Sequence, residues 1–265
     1  LDGRADARVR TVMKRADALV AISTEIAEEM AEAGAEMGRV IRVPNGVDLT
    51  WMARWREAAV WGGTSARVLE MAGRPKHSSL GGSGARIGDG NARECGIVAV
   101  GRNHAKKGFE LLLRAMSKVV AEEPGTRLSV AGEGTELLET LARELGLVDE
   151  VEFLGRIPPK GTPVSAEHPM PVELAKLLGG ADLFVSPSLV EGFPLVNVEA
   201  VAAGLPLVLT DISGNREVVG SGDGENGLLV PAGDAGALAE AIVALIRDPE
   251  RRGRMGLCSA SMAKA

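Results

Sequence analysis

The chain has 265 residues, of which 45% are apolar and 25% charged, and its formal net charge is −6. That length fits one large domain or two small ones, and the composition is ordinary for a globular protein. The acidic balance and the scarcity of aromatics (four Phe, three Trp, no Tyr) exclude the basic, base-stacking surface of a nucleic-acid binder.

Residues 9–17 read as a short helix and 18–22 as a buried strand. Ser23 or Thr24 then caps a helix over 25–33 that stops at Gly34. Residues 39–43 form a second strand, closed by the turn signal Pro44-Asn-Gly46. Residues 51–94 have poor periodicity, and 73–94 are rich in Gly, Ser and Arg, the composition of a mobile linker or insertion. Trp51, Trp55 and Trp61 precede that stretch and are expected to pack a short helix there.

From residue 96 onward, strand and helix alternate. Strands are predicted at 97–100, 128–131, 151–154, 182–186, 207–209 and 227–230. Helices are predicted at 109–121, 136–145, 172–178, 195–203 and 235–246. Short apolar runs alternating with amphipathic helices imply a parallel sheet covered on both faces. The fold class is therefore α/β, a Rossmann-like doubly wound sheet, and ligands in such sheets sit at the carboxyl ends of the strands. The helix at 109–121 carries Leu112, Leu113, Met116, Val119 and Val120 at helical spacing, an apolar face destined for the core.

Cys95 and Cys258 lie far apart, a pattern of reduced thiols rather than of a disulfide framework, which reads as a cytoplasmic setting. No apolar run reaches transmembrane length, and the N-terminus is no signal peptide. With no initiator Met, the chain is read as a fragment.

The candidate chemistry gathers at the strand ends. Arg102 and Lys107 stand on the loop after the first strand of the larger domain. Arg offers a planar fork and Lys a point charge, so together they can clamp a diphosphate. Lys106 and His104 share that loop and read as solvated neighbours. Gly132-Glu-Gly134 follows the next strand but lacks the third glycine of a dinucleotide fingerprint, which argues against NAD. Gly132 admits a ligand close to the backbone. Gly155-Arg156-Ile157 ends the third strand and can line a base slot. No Asp-x-Asp pair is present to hold a metal-bound diphosphate.

The segment Glu191-Gly-Phe-Pro-Leu-Val-Asn-Val-Glu199 is the most informative. Two acids bracket a helix start at Pro194, where a missing N–H costs nothing. The free N–H groups of Leu195 and Val196 can seat an anion. An anion seat flanked by two acids suits a ligand with phosphates in the middle and hydroxyls at both ends, such as a nucleotide sugar. Glu191 near a helix start is electrostatically favourable even without a ligand. Glu199 is different, because it stands among Val196, Val198, Ala200 and Val201, and a buried acid needs a partner.

Read together, these residues resemble the retaining nucleotide-sugar glycosyltransferases of family 4, which have the GT-B fold. The resemblance runs through Val43-Pro-Asn-Gly-Val-Asp48, Val100-Gly-Arg102 with Lys107-Gly108, Val130-Ala-Gly-Glu-Gly134 and Ala181-Asp-Leu-Phe-Val-Ser-Pro-Ser188. It continues through Glu191–Glu199, Ala202-Ala-Gly-Leu-Pro206, Gly214-Asn-Arg-Glu217 and Gly224-Glu-Asn-Gly-Leu-Leu-Val230, and it omits 51–94 and 159–170. It implies that Arg102 and Lys107 bind the donor diphosphate and stabilise the leaving-group charge. It implies that Glu199 grips the ribose hydroxyls and that Glu191 faces the donor sugar and the reacting centre. By the same resemblance Gly192, Phe193, Pro194, Leu195 and Val196 touch sugar and phosphate, Gly132 lies by the donor, and Arg156 and Ile157 line the base. The donor would be a UDP-, GDP- or ADP-sugar and the acceptor a carbohydrate or a lipid-linked precursor. Neither a metal nor another cofactor would be needed.

The resemblance also implies a domain plan: 1–50 as the tail of an N-terminal acceptor-side domain, 51–94 as a linker or insertion, and 95–265 as the nucleotide-sugar-binding domain. The rest of the N-terminal domain, with any peripheral membrane contact, and the helix that returns to it after 265 would lie outside this chain. Pro158–Pro171 is longer and richer in proline than the family pattern. The alternatives are a catalytically silent nucleotide-sugar-binding module needing a partner and, more remotely, a sugar-nucleotide epimerase or a nicotinamide oxidoreductase.

Overall fold

The computed structural model describes residues 7–43, 46, 95–157 and 171–263. The expectations for Trp51, Trp55 and Trp61, for the linker and for 158–170 fall outside these residues.

Residues 7–43 form α1 (Ala7–Arg15), β1 (Leu19–Ala21), α2 (Thr24–Glu32) and β2 (Val40–Arg42). β1 and β2 pair in parallel, Leu19 opposite Val40. Ser23 is the N-cap of α2, its hydroxyl accepting from the Ile26 N–H at 3.2 Å. α1 ends at Arg15, two residues before its predicted end.

The larger unit is built from β3 (Gly96–Val100), α3 (Phe109–Glu122), β4 (Arg127–Ala131), α4 (Glu139–Glu144), β5 (Val151–Gly155) and α5 (Val172–Gly179). It continues through β6 (Leu183–Ser186), α6 (Leu195–Ala202), β7 (Leu207–Thr210), α7 (Ser213–Arg216), β8 (Gly227–Val230), α8 (Ala235–Arg247) and α9 (Pro249–Met262). Its six strands are all parallel, in the order β5-β4-β3-β6-β7-β8. Every predicted strand of this unit is present. The helix predicted over 136–145 is divided into a 3₁₀ turn, Thr135–Leu138, and the short α4. The buried Thr135 directs its hydroxyl back to the Gly132 carbonyl at 2.9 Å, which holds the tighter turn.

Successive strand residues feed opposite faces. Ile97 and Ala99 of β3 join Leu112, Leu113, Met116 and Val119 of α3 and Leu238 and Ile242 of α8 in one core. Val98, Phe184, Leu207 and Leu209 join Leu174 and Leu178 of α5 and Ala200 and Val201 of α6 in the other. At about 25 cal/mol per Å² of apolar surface buried, these two layers dominate the stability. No helix among the described residues is long and apolar enough to cross a membrane.

The strand order reverses direction between β3 and β6. That switch point opens a crevice at the carboxyl edge of a doubly wound sheet. The loop after β3 carries Arg102 and Lys107, and the loop after β6 carries Ser188 and Glu191.

Candidate functional site

Backbone hydrogen bonds stitch the strand-end loops to one another. The Leu189 N–H donates to the Lys106 carbonyl at 2.7 Å, joining the loops on either side of the switch point. The Asn103 N–H reaches the Glu133 carbonyl at 2.8 Å, and the Gly132 N–H reaches the Gly155 carbonyl at 2.7 Å. Gly132 has φ +142°, and a Cβ there would lie 1.7 Å from the Gly101 carbonyl oxygen. Only glycine allows the turns after β3 and β4 to meet this closely.

Lys107 ends a 3₁₀ turn, Ala105–Lys107, whose start is capped by the Nδ1 atom of His104 accepting from the Lys106 N–H at 3.3 Å. The Lys107 ammonium is ion-paired with Glu191 Oε1, and the two side chains are only 19% and 11% exposed. Ser188 Oγ donates to that same oxygen at 3.0 Å. Arg102 on the same loop is exposed, and its guanidinium has no hydrogen bond or ion pair among the described residues. The predicted clamp is therefore asymmetric: one cation is seated on an acid and the other is open.

Pro194 is buried and is the N-cap residue of α6, with no side-chain cap on the helix. The N–H groups of Leu195 and Val196 lie in the first turn, ahead of the helix's own hydrogen-bond ladder. Leu195 is exposed, whereas Phe193 and Val196 pack partly against the core beneath α6. Glu199 lies one turn further along the helix. Its carboxyl is mostly buried and has no hydrogen-bond or ion-pair partner among the described residues. Burial alone pushes its pKa up from 4.5 to about 6.

Arg156 is exposed and ion-paired with Glu133 at 3.6 Å. Ile157 beside it packs partly against the second core. The structure thus gathers Arg102, Lys107, Gly132, Glu191, Arg156 and Ile157 on the loops after β3 to β6, with Gly192–Val196 and Glu199 along the entry to α6. Among the described residues, no group of three or more His, Cys, Asp or Glu side chains is placed to hold a metal ion.

Several residues at this site receive no role from the sequence. Ser188, Thr210, Asn215 and Asn197 form a buried polar chain behind Glu191. The start of α2 also reaches the rim. The Thr24 N–H donates to Glu217 Oε1 at 2.6 Å, the Ser213 hydroxyl donates to the Glu25 carboxylate, and Ile26 Cδ1 lies 3.2 Å from where a Cβ on Gly192 would stand. The two hydrogen bonds join residues 193 and 188 positions apart, which no local pattern reveals. Asn197, a polar residue between the apolar Val196 and Val198, is the one signal in the sequence.

The chain is similar to known proteins in sequence and in fold. Residues 91–257 match the family model described as glycosyl transferases group 1. The chain is 32% identical over 259 residues to a D-inositol 3-phosphate glycosyltransferase of Nocardia farcinica, covering 94% of this chain and 49% of that protein. It is 37% identical over 161 residues to a phosphatidyl-myo-inositol mannosyltransferase of Mycobacterium leprae, covering 60% of this chain and 39% of that one. The chain thus spans about half or less of the length of these curated relatives. The structure of Anabaena Alr3699/HepE in complex with UDP and glucose superposes with a TM-score of 0.71 at 20% identity, covering 98% of this chain and 63% of that one. That likeness carries the fold. The family match over residues 91–257 and the similarity over 94% of this chain identify it as a member of the glycosyl transferases group 1 family, with the GT-B architecture.

Proposed function

We propose that this chain carries the donor site of a retaining glycosyltransferase, which moves a sugar from a UDP-, GDP- or ADP-sugar to a carbohydrate or lipid-linked acceptor. The observation that carries the reading is Glu199: a mostly buried carboxylate without a hydrogen-bond or ion-pair partner among the described residues, one turn inside a helix whose N-terminus has no side-chain cap. Burying such a group is costly unless something hydrogen-bonds to it. A ribose diol supplies two donors to the carboxylate, and the attached phosphates fall toward the N–H groups of Leu195 and Val196. Arg102, which pairs with none of the described residues, supplies a fork for the diphosphate, and Lys107 supplies a second charge at the switch point. Both act electrostatically on the departing nucleoside diphosphate, with no metal in the step. Glu191, held by Lys107, faces the donor sugar. Gly132 and Gly192–Val196 give backbone contacts, and Arg156 with Ile157 borders the base.

Support for a nucleotide donor comes from the Anabaena relative in fold, whose structure holds UDP and glucose. In this reading residues 1–50 are the tail of the acceptor-side domain, 51–94 a linker, and 95–265 the donor domain, working in the cytoplasm. Peripheral membrane contact, where the acceptor is a lipid, is assigned to the remainder of the acceptor-side domain. Transfer is expected to keep the anomeric configuration, with departure and attack on one face of the sugar.

The test is thermal unfolding with UDP, GDP, ADP and their sugars, for wild type and Glu199→Ala. A ligand at 100-fold excess over its Kd stabilises the folded chain by about 2.7 kcal/mol. One nucleotide should raise the wild-type midpoint and fail to raise that of Glu199→Ala. A cooperative melt that no nucleotide shifts would overturn the proposal.

A further inference from the structure

Behind Glu191 lies a run of polar side chains that the donor contacts do not use. Ser188 is 1% exposed, and Thr210, Asn215 and Asn197 are fully buried. Their hydrogen bonds point in one direction. Asn197 Nδ2 donates to Asn215 Oδ1 at 2.7 Å. Asn215 Nδ2 donates to the Thr210 carbonyl at 2.8 Å and to Thr210 Oγ1 at 3.2 Å. Thr210 Oγ1 donates to the Ser188 carbonyl, and Ser188 Oγ donates to Glu191 Oε1 at 3.0 Å. Ser186 Oγ stands 3.3 Å from Ser188 Oγ and fills its acceptor side.

The backbone is locked in the same place. A Cβ on Gly214 would lie 2.5 Å from the Gly192 carbonyl oxygen and 2.9 Å from that of Glu191. The turn after β7 therefore presses directly on the segment that carries the acid.

Both protein donors to the carboxylate, Lys107 and Ser188, converge on one oxygen, Oε1. Oε2 has no hydrogen bond among the described residues. A carboxylate held by a cation alone can swivel about it, because an ammonium is a point charge with rotatable donors. A hydroxyl on a fixed backbone adds a direction. The links from Asn215 to Ser188 are made in full and restrict the geometry, while Asn197 Oδ1 at the far end of the chain accepts no hydrogen bond among the described residues.

We infer that Ser188 is a positioning residue for the donor sugar. Anchored from behind by Thr210 and Asn215, it fixes the Glu191 carboxylate so that Oε2 faces the hydroxyls of the transferred sugar. The nucleoside diphosphate is held elsewhere, by Arg102, the start of α6 and Glu199. This inference rests on the donor-site reading above. It assigns the Ser188 chain to the affinity gained from the sugar, and not to the affinity for the nucleotide.

The experiment is calorimetric titration of the full chain with three matched pairs: UDP and UDP-glucose, GDP and GDP-mannose, ADP and ADP-glucose. The pair that binds wild type is carried to Ser188→Ala, Thr210→Val and Thr210→Ser. Losing one hydrogen bond to a charged group corresponds to about a tenfold change in affinity. Ser188→Ala is expected to lose about tenfold for the sugar nucleotide while its affinity for the free nucleoside diphosphate stays within about twofold. Thr210→Val should show the same selective loss, smaller in size, and Thr210→Ser, which keeps the hydroxyl, should restore it. These two variants decide the matter if Ser188→Ala does not melt cooperatively. Equal losses for nucleotide and sugar nucleotide, or no loss for either, would overturn the inference while the donor site stands. Wild type binding none of the three pairs would overturn the donor-site reading and this inference with it.

Discussion

Glu191 and Glu199 sit at the two ends of one short segment and are treated in opposite ways. Around Glu191 the protein has supplied an ammonium, a serine hydroxyl and a buried chain of amides behind them. Around Glu199 it has supplied apolar neighbours and no hydrogen-bond partner among the described residues. The contrast separates two tasks. An acid already satisfied by the protein is held in a set direction, while an unsatisfied one stores a binding opportunity for a ligand.

The largest effect should come from unbalancing the satisfied end. Lys107→Met leaves the Glu191 carboxylate buried without its cation, and breaking such a pair costs about 3 kcal/mol or more. Urea unfolding should show that loss. The double variant Lys107→Met/Glu191→Gln should recover most of it, because the orphaned charge is gone. Equal stability of the single and double variants would mean that the pair is not the strained element.

The unsatisfied end predicts the opposite sign. Burial raises the Glu199 pKa from 4.5 to about 6 in the folded chain. Between these values the folded state holds more protons than the unfolded state, so stability falls as pH rises through that window and stays reduced above it. The loss is about 2 kcal/mol. Glu199→Gln should therefore make the free chain more stable than wild type at pH 7 by about that amount, and the advantage should fade below about pH 4.5. A Glu199→Gln variant less stable than wild type at pH 7 would contradict the absence of a protein partner. Nucleotide affinity carries the matching signature. Protonated Glu199 loses an acceptor for the ribose diol, so binding should weaken as pH falls below about 6.

The smallest effect on stability belongs to Arg102. It is exposed and pairs with no described residue, so Arg102→Ala should change unfolding by no more than about 0.5 kcal/mol. Its diphosphate affinity should nonetheless drop about tenfold, as expected for a lost charge-assisted hydrogen bond. A clear stability loss would place Arg102 with the satisfied group.

The strands were legible because each is a short apolar run bounded by turn residues, and their parallel pairing followed from the βα alternation, whereas their order in the sheet came only with the fold. Glu191, the cations and Gly132 stand out because they fall at strand ends, and Glu199 because it is an acid among apolar helix residues. The helix Pro249–Met262 was not read, since it packs through small and scattered residues. Met255 is buried in one core, and the Ser259 hydroxyl donates to the Leu205 carbonyl at 2.7 Å. The Ser188 chain was hidden for a different reason. Ser, Thr and Asn look like surface residues until the fold links Ser188 directly to Thr210, 22 positions away, and through it to Asn215, 27 positions away. The sequence likewise did not show that Lys107 would be committed to Glu191, because an ion pair depends on which strands are neighbours, and β3 meets β6 only across the switch point.

The most direct test of the contrast is carboxyl-detected NMR titration of Glu199 in the full chain, with and without UDP, GDP or ADP. The account predicts titration near pH 6 in the free chain and a shift toward or below the ordinary carboxylate range when one nucleotide binds, because ribose hydroxyls then donate to the charged form. An unaltered titration in a chain saturated with that nucleotide would show that Glu199 is not where the ligand is gripped.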